Sequence, residues 1–288
     1  MRLTSRLLSP GAKAASLLKL DLPSLLSSEK ISHLKAILHH MRTLPNHPPN
    51  NTATLVTPLT PLPTSPTSVR LVCVRHGQAH HNTFMDNYRG TFDAPEEDPE
   101  CPVDPKLTDL GESQARSLIP TTTSMGDASL LPNFIYTSPL RRATQTGILA
   151  FPSLTSPFHC THLLAEESNG LACDYVQPSS SLLPDFGDKV DYREYDKAVD
   201  IQSEHNTPIR TLAESKAKLC ERTDEFLSLV RSNVASNPER RIIGVCSHSQ
   251  WLQAFFVKTL NIREQEEAIK WFGTGEMRVV DVELIPPP

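Results

Sequence analysis

Two histidines of the sequence stand directly after apolar segments that are typical of buried strands. His76 follows the segment 69–75, and His248 follows the segment 241–247. In an open α/β sheet, ligands bind at the carboxyl ends of the strands. If the two segments are neighbouring parallel strands, both imidazoles therefore lie in one pocket at the same edge of the sheet.

A third apolar segment, 133–137, is followed by Arg141 and Arg142. A guanidinium keeps its charge and matches phosphate oxygens with paired hydrogen bonds. A histidine nitrogen can attack phosphorus and form a covalent intermediate. A carboxylic acid can then protonate the leaving oxygen and later activate a water molecule. Together these residue types favour phosphoryl-transfer chemistry that needs no metal ion.

The chemistry requires a sheet that brings the three segments together. The apolar segments predict strands, and the amphipathic segments between them predict helices. We therefore expect an α/β fold, with helices on both faces of a mostly parallel central sheet. One predicted helix follows Thr108, one spans Leu140–Ala150, and the longest begins at an N-cap Thr207. The strands are expected at 69–74, 133–137, 159–164, 241–247 and 278–284.

Five short motifs in the same order resemble the histidine phosphatase superfamily, branch 1, the phosphoglycerate mutase-like proteins. A lone Arg-His-Gly triplet would be weak evidence, but matches that extend over residues 70–252 make coincidence improbable. The motifs are Arg75-His76-Gly77, Asn82, Leu107-Thr108-Asp109-Leu110-Gly111 with Gln114-Ala115, Ser138-Pro139-Leu140-Arg141-Arg142-Ala143 with Thr146, and Ser247-His248-Ser249. The resemblance implies a three-layer α/β/α sandwich.

The resemblance also implies roles for single residues. His76 would be the phosphorylated nucleophile, and His248 would help to bind the phosphoryl group. The other predicted phosphoryl ligands are Arg75, Arg142 and, in an assisting role, Asn82. The proton donor of the family is a glutamate in a Leu-x-Glu context, which points to Glu166, with the adjacent Glu167 as the competing choice.

Two departures from the family pattern bear on the reaction. The stretch after Asn82 contains no tryptophan, and the acid segment 166–170 lacks the Glu-Arg-x-Tyr-Gly run of the mutases. A phosphatase acting on a phosphate monoester is therefore the first hypothesis. A phosphomutase of the phosphoglycerate mutase type is the alternative, and a non-catalytic phosphate-binding or scaffold protein is the third. The pair Cys173-Asp174 resembles a less-characterised subgroup of the family.

Composition excludes several other classes of function. The net charge of −5 argues against nucleic acid as a partner, since phosphate backbones require a basic face. Neither a GxxxxGK[ST] nor a GxGxxG loop is present, and no apolar run is long enough for a membrane span. Six cysteines without a CxxC pair predict no metal site and no cofactor. The expected partner is a small phosphorylated substrate, and the sequence carries no signal for the oligomeric state.

Two further histidines, His80 and His81, lie close to His76 in the chain. Neither has a carboxylate or a cysteine at metal-ligand spacing. We interpret both as loop residues near the mouth of the pocket.

Charge and proline content divide the chain into three parts. Residues 1–43 carry seven Lys/Arg and two Asp/Glu and predict a basic leader with an amphipathic helix. Residues 44–68 hold seven prolines and predict a linker, and 69–288 form the catalytic domain. We expect a cytoplasmic protein, or a mitochondrial or plastid one if residues 1–40 are a transit peptide.

Overall fold

The central sheet has a strand at each of the five positions predicted from apolar segments, together with three others. The strand predicted at 159–164 ends at Cys160, and His162–Leu164 form a 3-10 turn instead. The computed structural model describes residues 51–55, 62–65, 67–87, 102–119, 130–204, 214–262 and 270–284. Within these residues the sheet has eight strands. They are β1 (Asn51–Leu55), β2 (Ser68–Arg75), β3 (Phe134–Thr137), β4 (Phe158–Cys160), β5 (Val190–Asp191), β6 (Ile242–Ser247), β7 (Asn261–Ile262) and β8 (Met277–Leu284).

The strands lie in the order β5-β4-β3-β6-β2-β8-β1-β7. The consecutive pairs from β5 to β2 are all parallel, and so is the pair of β1 with β7. Strand β8 runs antiparallel to its two neighbours, β2 and β1. With helices flanking this sheet, the predicted α/β architecture with a mostly parallel sheet is confirmed.

The helices connect the strands, and their ends are set by capping residues. Thr108 caps the helix Asp109–Arg116 as predicted, because its hydroxyl accepts the Gly111 N–H at 3.1 Å. Thr207, the predicted N-cap of the longest helix, lies outside the described residues. The helix that the structure describes begins at Lys216, and the Ser215 hydroxyl caps it by accepting the Lys218 N–H at 3.2 Å. The described helices are α1 (His80–Asn87), α2 (Asp109–Arg116), α3 (Arg141–Ala150), α4 (Ser179–Phe186), α5 (Arg193–Glu204), α6 (Lys216–Ser236) and α7 (Ser249–Ala254), which continues as a π turn over Phe255–Thr259.

Aromatic side chains fill the space beside α6 and α7. Trp251 stacks on Phe255 with ring centroids 4.9 Å apart, and both meet Phe226 of α6 edge to face. Trp251, Phe255 and Phe256 are almost fully buried. These residues belong to the core, and their packing fixes the helix that follows His248.

Part of the predicted linker belongs to the sheet. Residues 51–55 form β1, which lies between β8 and β7 and pairs with both. This stretch contains no proline, so its N–H groups can join the ladder while the prolines stand outside it. Arg241 also donates to the carbonyl oxygens of Pro63 and Ser65, each at 2.7 Å. The Ser/Thr/Pro-rich composition therefore hid a strand and a docked turn.

The basic leader at residues 1–43 lies outside the described residues, so its targeting role stays a prediction. In the part of the chain that the structure describes, no helix is long and apolar enough to cross a membrane.

Candidate active site

The register of the parallel strands brings the two histidines together. Strand β2 ends with Arg75 opposite Ser247 of β6. The His76 N–H then donates to the Ser247 carbonyl at 3.0 Å, which extends the ladder by one bond. As a result, the rings of His76 and His248 lie 5.2 Å apart, centroid to centroid. The predicted meeting of these strand ends is present in the structure.

The main chain fixes the proton of the His76 ring. Nδ1 lies 2.6 Å from the Gly77 carbonyl oxygen, which can only accept a hydrogen bond. Nδ1 therefore carries the hydrogen and Nε2 keeps its lone pair. Burial, followed by the nearby guanidiniums of Arg142 and Arg75, holds the pKa of His76 well below 6.5. This buried imidazole is neutral and has a nucleophilic nitrogen.

Two arginines flank the histidine pair, and each has a buried Nε–H group without a hydrogen-bond partner among the described residues. Arg75 donates from Nη1 to the Phe272 carbonyl, and Arg142 donates from Nη1 to the Cys173 carbonyl at 2.6 Å. Burial lowers the pKa of Arg75 to about 10, against the opposing effect of the Glu166 and Glu276 carboxylates. Arg75 therefore stays cationic at neutral pH, and both side chains offer N–H groups to an anion.

The Cys173-Asp174 pair holds Arg142 in place. Asp174 Oδ1 accepts from Arg142 Nη2 at 2.8 Å, beside the bond to the Cys173 carbonyl. Arg142 is 1% exposed, so this carboxylate compensates a charge that would otherwise be costly to bury. The sequence singled out the pair only through its resemblance to a subgroup, and the structure gives it a physical role.

His248 contacts the end of a third strand. Its Nε2 lies 2.7 Å from the Ser138 hydroxyl, and Ser138 directly follows β3. The Ser138 N–H donates to the Cys246 carbonyl at 3.0 Å, so this serine is tied to β6 as well. The Ser-Pro-Leu-Arg-Arg motif thus places both a contact for His248 and the guanidinium of Arg142.

The two candidate acids face different surroundings. Glu166 Oε1 accepts the N–H groups of Glu167 and Trp251 at 2.9 and 3.1 Å, and its charge acts on Arg75. Glu167 instead forms an ion pair with Lys216, which also donates to Gln250 at 2.7 Å. Burial raises the pKa of Glu167, which would suit a proton donor, but its carboxylate is engaged by Lys216. Glu166 is thus the carboxylate that interacts with Arg75 of the site, whereas Glu167 is paired with Lys216.

Asn82 braces the turn after His76. Its Oδ1 accepts the Ala79 N–H at 2.9 Å, and its Nδ2 lies 3.1 Å from His81 Nε2. His80 and His81 belong to helix α1 rather than to a loop, which corrects the expectation from sequence. The rings of His81 and His76 are 5.6 Å apart, so His81 lies close to His76, whereas the sequence placed it only near the mouth of the pocket.

Two motif glycines allow the turn after His76 to pack against α2. A Cβ atom on Gly77 would stand 2.3 Å from the Gly111 carbonyl oxygen, and one on Gly111 would stand 1.9 Å from the Gln78 carbonyl oxygen. Both distances are far below van der Waals contact. The Gly77 N–H also donates to the Thr146 hydroxyl at 3.0 Å, and that hydroxyl bonds the Arg142 carbonyl at 2.7 Å. Three motifs thus hold the turn after His76 in place.

Arg141 points away from this cluster. It pairs with Asp104 at 2.8 Å and with Asp185 at 2.7 Å. Among the described residues, no group of three or more His, Cys, Asp or Glu side chains is arranged to hold a metal ion.

The fold and the motif order together define a class of protein. The family model of the histidine phosphatase superfamily (branch 1) matches residues 71–283, and the chain belongs to this family. The resemblance inferred from the sequence is confirmed. No curated protein matches the chain as a relative.

Several solved structures are similar to the chain at low identity. A mycobacterial glucosyl-3-phosphoglycerate phosphatase is 18% identical with a TM-score of 0.44, and the match covers 74% of this chain and 90% of that one. A phosphoserine phosphatase from Entamoeba histolytica is 19% identical with a TM-score of 0.42, covering 73% and 89%. The alpha-ribazole phosphatase from Shigella flexneri is 19% identical with a TM-score of 0.44, also covering 73% and 89%. The family assignment itself depends on the family model.

Proposed function

We propose that the protein is a metal-independent phosphatase that hydrolyses a small phosphate monoester through a phosphohistidine on His76. The observation that carries the proposal is the state of His76. Its ring is buried and neutral, its Nδ1 hydrogen is held by Gly77, and the guanidiniums of Arg75 and Arg142 surround it. This arrangement suits attack on an anionic phosphorus centre.

The first step transfers the phosphoryl group to the protein. The Nε2 lone pair of His76 forms a bond to phosphorus while the bond from phosphorus to the ester oxygen breaks. The Nε–H groups of Arg75 and Arg142 stabilise the charge on the equatorial oxygens. The protonated carboxyl of Glu166 gives its proton to the departing oxygen, so an alcohol leaves.

The second step returns the enzyme to its starting state. The Glu166 carboxylate takes a proton from a water molecule, and the water oxygen attacks phosphorus. The bond between phosphorus and Nε2 breaks, which releases inorganic phosphate and regenerates the neutral His76 with its lone pair. One water is consumed, and Glu166 is protonated again for the next cycle.

The test of the function is phosphate release from a panel of monoesters. Sugar phosphates, phosphoamino acids, phosphoglycerates and nucleotides are incubated with the full-length protein in EDTA. We expect inorganic phosphate from at least one class at an unchanged rate with and without the chelator. Conversion of 3-phosphoglycerate to its isomer without phosphate release would establish a mutase instead. A protein that binds phosphate but turns over none of the panel would support the non-catalytic hypothesis.

The lowered pKa of His76 predicts an unusual pH profile. A histidine with a pKa of 6.5 would be only about one-tenth neutral at pH 5.5. Because the pKa of His76 is lower, its neutral form persists there, and we expect kcat/KM at pH 5.5 to stay within about twofold of its value at pH 7. The measurement is kcat/KM from pH 4.5 to 8, corrected for substrate ionisation, with circular dichroism as the control for folding. A tenfold fall centred on pH 6.5 would contradict the neutral nucleophile.

A further inference from the structure

His81 stands beside the phosphoryl-binding cluster without a role in the proposed reaction. It lies on α1, one residue before Asn82, and its ring centroid is 5.6 Å from that of His76. Burial, followed by the charges of Arg142 and Arg75, holds the pKa of His81 well below 6.5. The side chain is therefore neutral and lies close to the same two guanidiniums that flank the nucleophile.

The hydrogen bonds of Asn82 decide which nitrogen of His81 carries the proton. Asn82 Oδ1 accepts the Ala79 N–H at 2.9 Å, so the amide oxygen faces the main chain. The amide nitrogen, which is a donor only, then faces His81 Nε2 at 3.1 Å. Nε2 must accept this bond, which means that it has no hydrogen. In a neutral ring the hydrogen is then on Nδ1.

That Nδ1–H group is an unused hydrogen-bond donor. His81 Nδ1 is buried and has no hydrogen-bond partner among the described residues. Arg75 Nε and Arg142 Nε share this state. A buried polar group without a hydrogen-bond partner costs free energy. Three such donors in one cluster indicate that a ligand rich in oxygen atoms accepts their hydrogen bonds. His80, the neighbour in sequence, is exposed to solvent instead.

We infer that His81 is a further substrate-binding residue, which donates a hydrogen bond from Nδ1 to an oxygen of the transferring phosphoryl group. The inference rests on the proposed function and adds one residue to those that bind the phosphoryl group. His81 supplies a neutral donor beside two cationic ones, so it adds a directional contact without further positive charge around His76. Asn82 then acts as a positioning residue, because its amide holds His81 in the tautomer that can donate.

The same geometry excludes two other roles for His81. Nδ1 carries a hydrogen and Nε2 is occupied by Asn82, so neither nitrogen offers a lone pair to a proton or to phosphorus. His81 is therefore a binding group and not a second base or nucleophile.

Binding of inorganic phosphate tests the inference independently of turnover. The probe is phosphate, titrated by calorimetry into the full-length wild type and into three variants. His81→Phe keeps a ring but removes the donor, and we expect the Kd for phosphate to rise about 10- to 100-fold, the usual effect of losing a hydrogen bond to a charged group. His81→Asn places an amide nitrogen near the position of Nδ1 and should stay within about threefold of the wild type. His80→Phe is the matched control and should leave the Kd unchanged.

The outcomes separate the inference from the proposed function. Equal phosphate affinity in His81→Phe and the wild type overturns the role of His81, whether or not the wild type hydrolyses esters. A wild type that does not bind phosphate overturns it as well. If phosphate affinity is unchanged but KM for an ester rises, His81 contacts the leaving group, and the assignment to a phosphoryl oxygen is wrong. Melting temperatures of the three variants, measured without ligand, show whether each retains the fold.

Discussion

The His76→Ala variant is expected to lose hydrolysis by at least about 1,000-fold, or about 4 kcal/mol of transition-state stabilisation. It should also take up no phosphoryl label. The physical reason is that the Gly77 carbonyl fixes the hydrogen of His76 on Nδ1, which leaves the Nε2 lone pair of His76 to attack phosphorus. Without that lone pair, the phosphoryl group cannot be transferred from the substrate to the protein.

The measurement is labelling with a phosphorylated substrate, quenched within milliseconds to seconds. A phosphohistidine is labile in acid and stable in alkali, which distinguishes it from phosphate esters of serine or threonine. His80→Ala is the matched control, since it removes an exposed imidazole four residues along the chain and should label like the wild type. Equal labelling of His76→Ala and the wild type would sink the mechanism.

The Glu166→Gln variant is expected to show the second-largest loss, and one that depends on the leaving group. For an alkyl phosphate, whose alkoxide must be protonated as it departs, the rate of the first turnover should fall about 100- to 10,000-fold. For nitrophenyl phosphate, whose leaving group needs no proton, the first-turnover rate should fall less than about tenfold. The second step also needs Glu166, so phosphohistidine should accumulate in this variant with the nitrophenyl ester.

Glu167→Gln is the matched control for the proton donor. It makes the same replacement of a carboxylate by an amide in the adjacent side chain, and it removes the ion pair with Lys216. We expect a lower melting temperature and first-turnover rates within about fivefold of the wild type for both esters. If Glu167→Gln alone shows the leaving-group dependence, the proton donor is Glu167 and the assignment to Glu166 is wrong.

The positions of His76 and His248 could be predicted from the sequence because the signal is local. Each follows a strand that is apolar throughout, and such strands run parallel inside an α/β sheet, where their carboxyl ends meet. The observed ring separation of 5.2 Å follows directly from that register. Thr108 could also be predicted as a helix cap, because capping depends on residues three positions apart in the chain.

Other features depended on contacts that no local pattern carries. The engagement of Glu167 by Lys216, 49 residues later in the chain, separates it from Glu166, and the sequence ranks the two only by spacing. The sequence predicts His81 as a loop residue because it shows neither the His76 ring 5.6 Å away nor the Asn82 amide that sets the tautomer of His81. Strand β1 was hidden because proline-rich flanks dominate the composition around residues 51–55.

The place of β2 in the sheet has a consequence for how the protein reaches its native state. Val72 of this strand pairs with Gly244 of β6 on one side and with Val279 of β8 on the other. Its partners are therefore synthesised more than 170 residues later, and closing such long loops costs entropy before any pairing is gained. The strand that ends just before His76 can join the sheet only after β6 and β8 have been synthesised. We therefore expect slow folding, because the strand Ser68–Arg75 pairs only with distant parts of the chain.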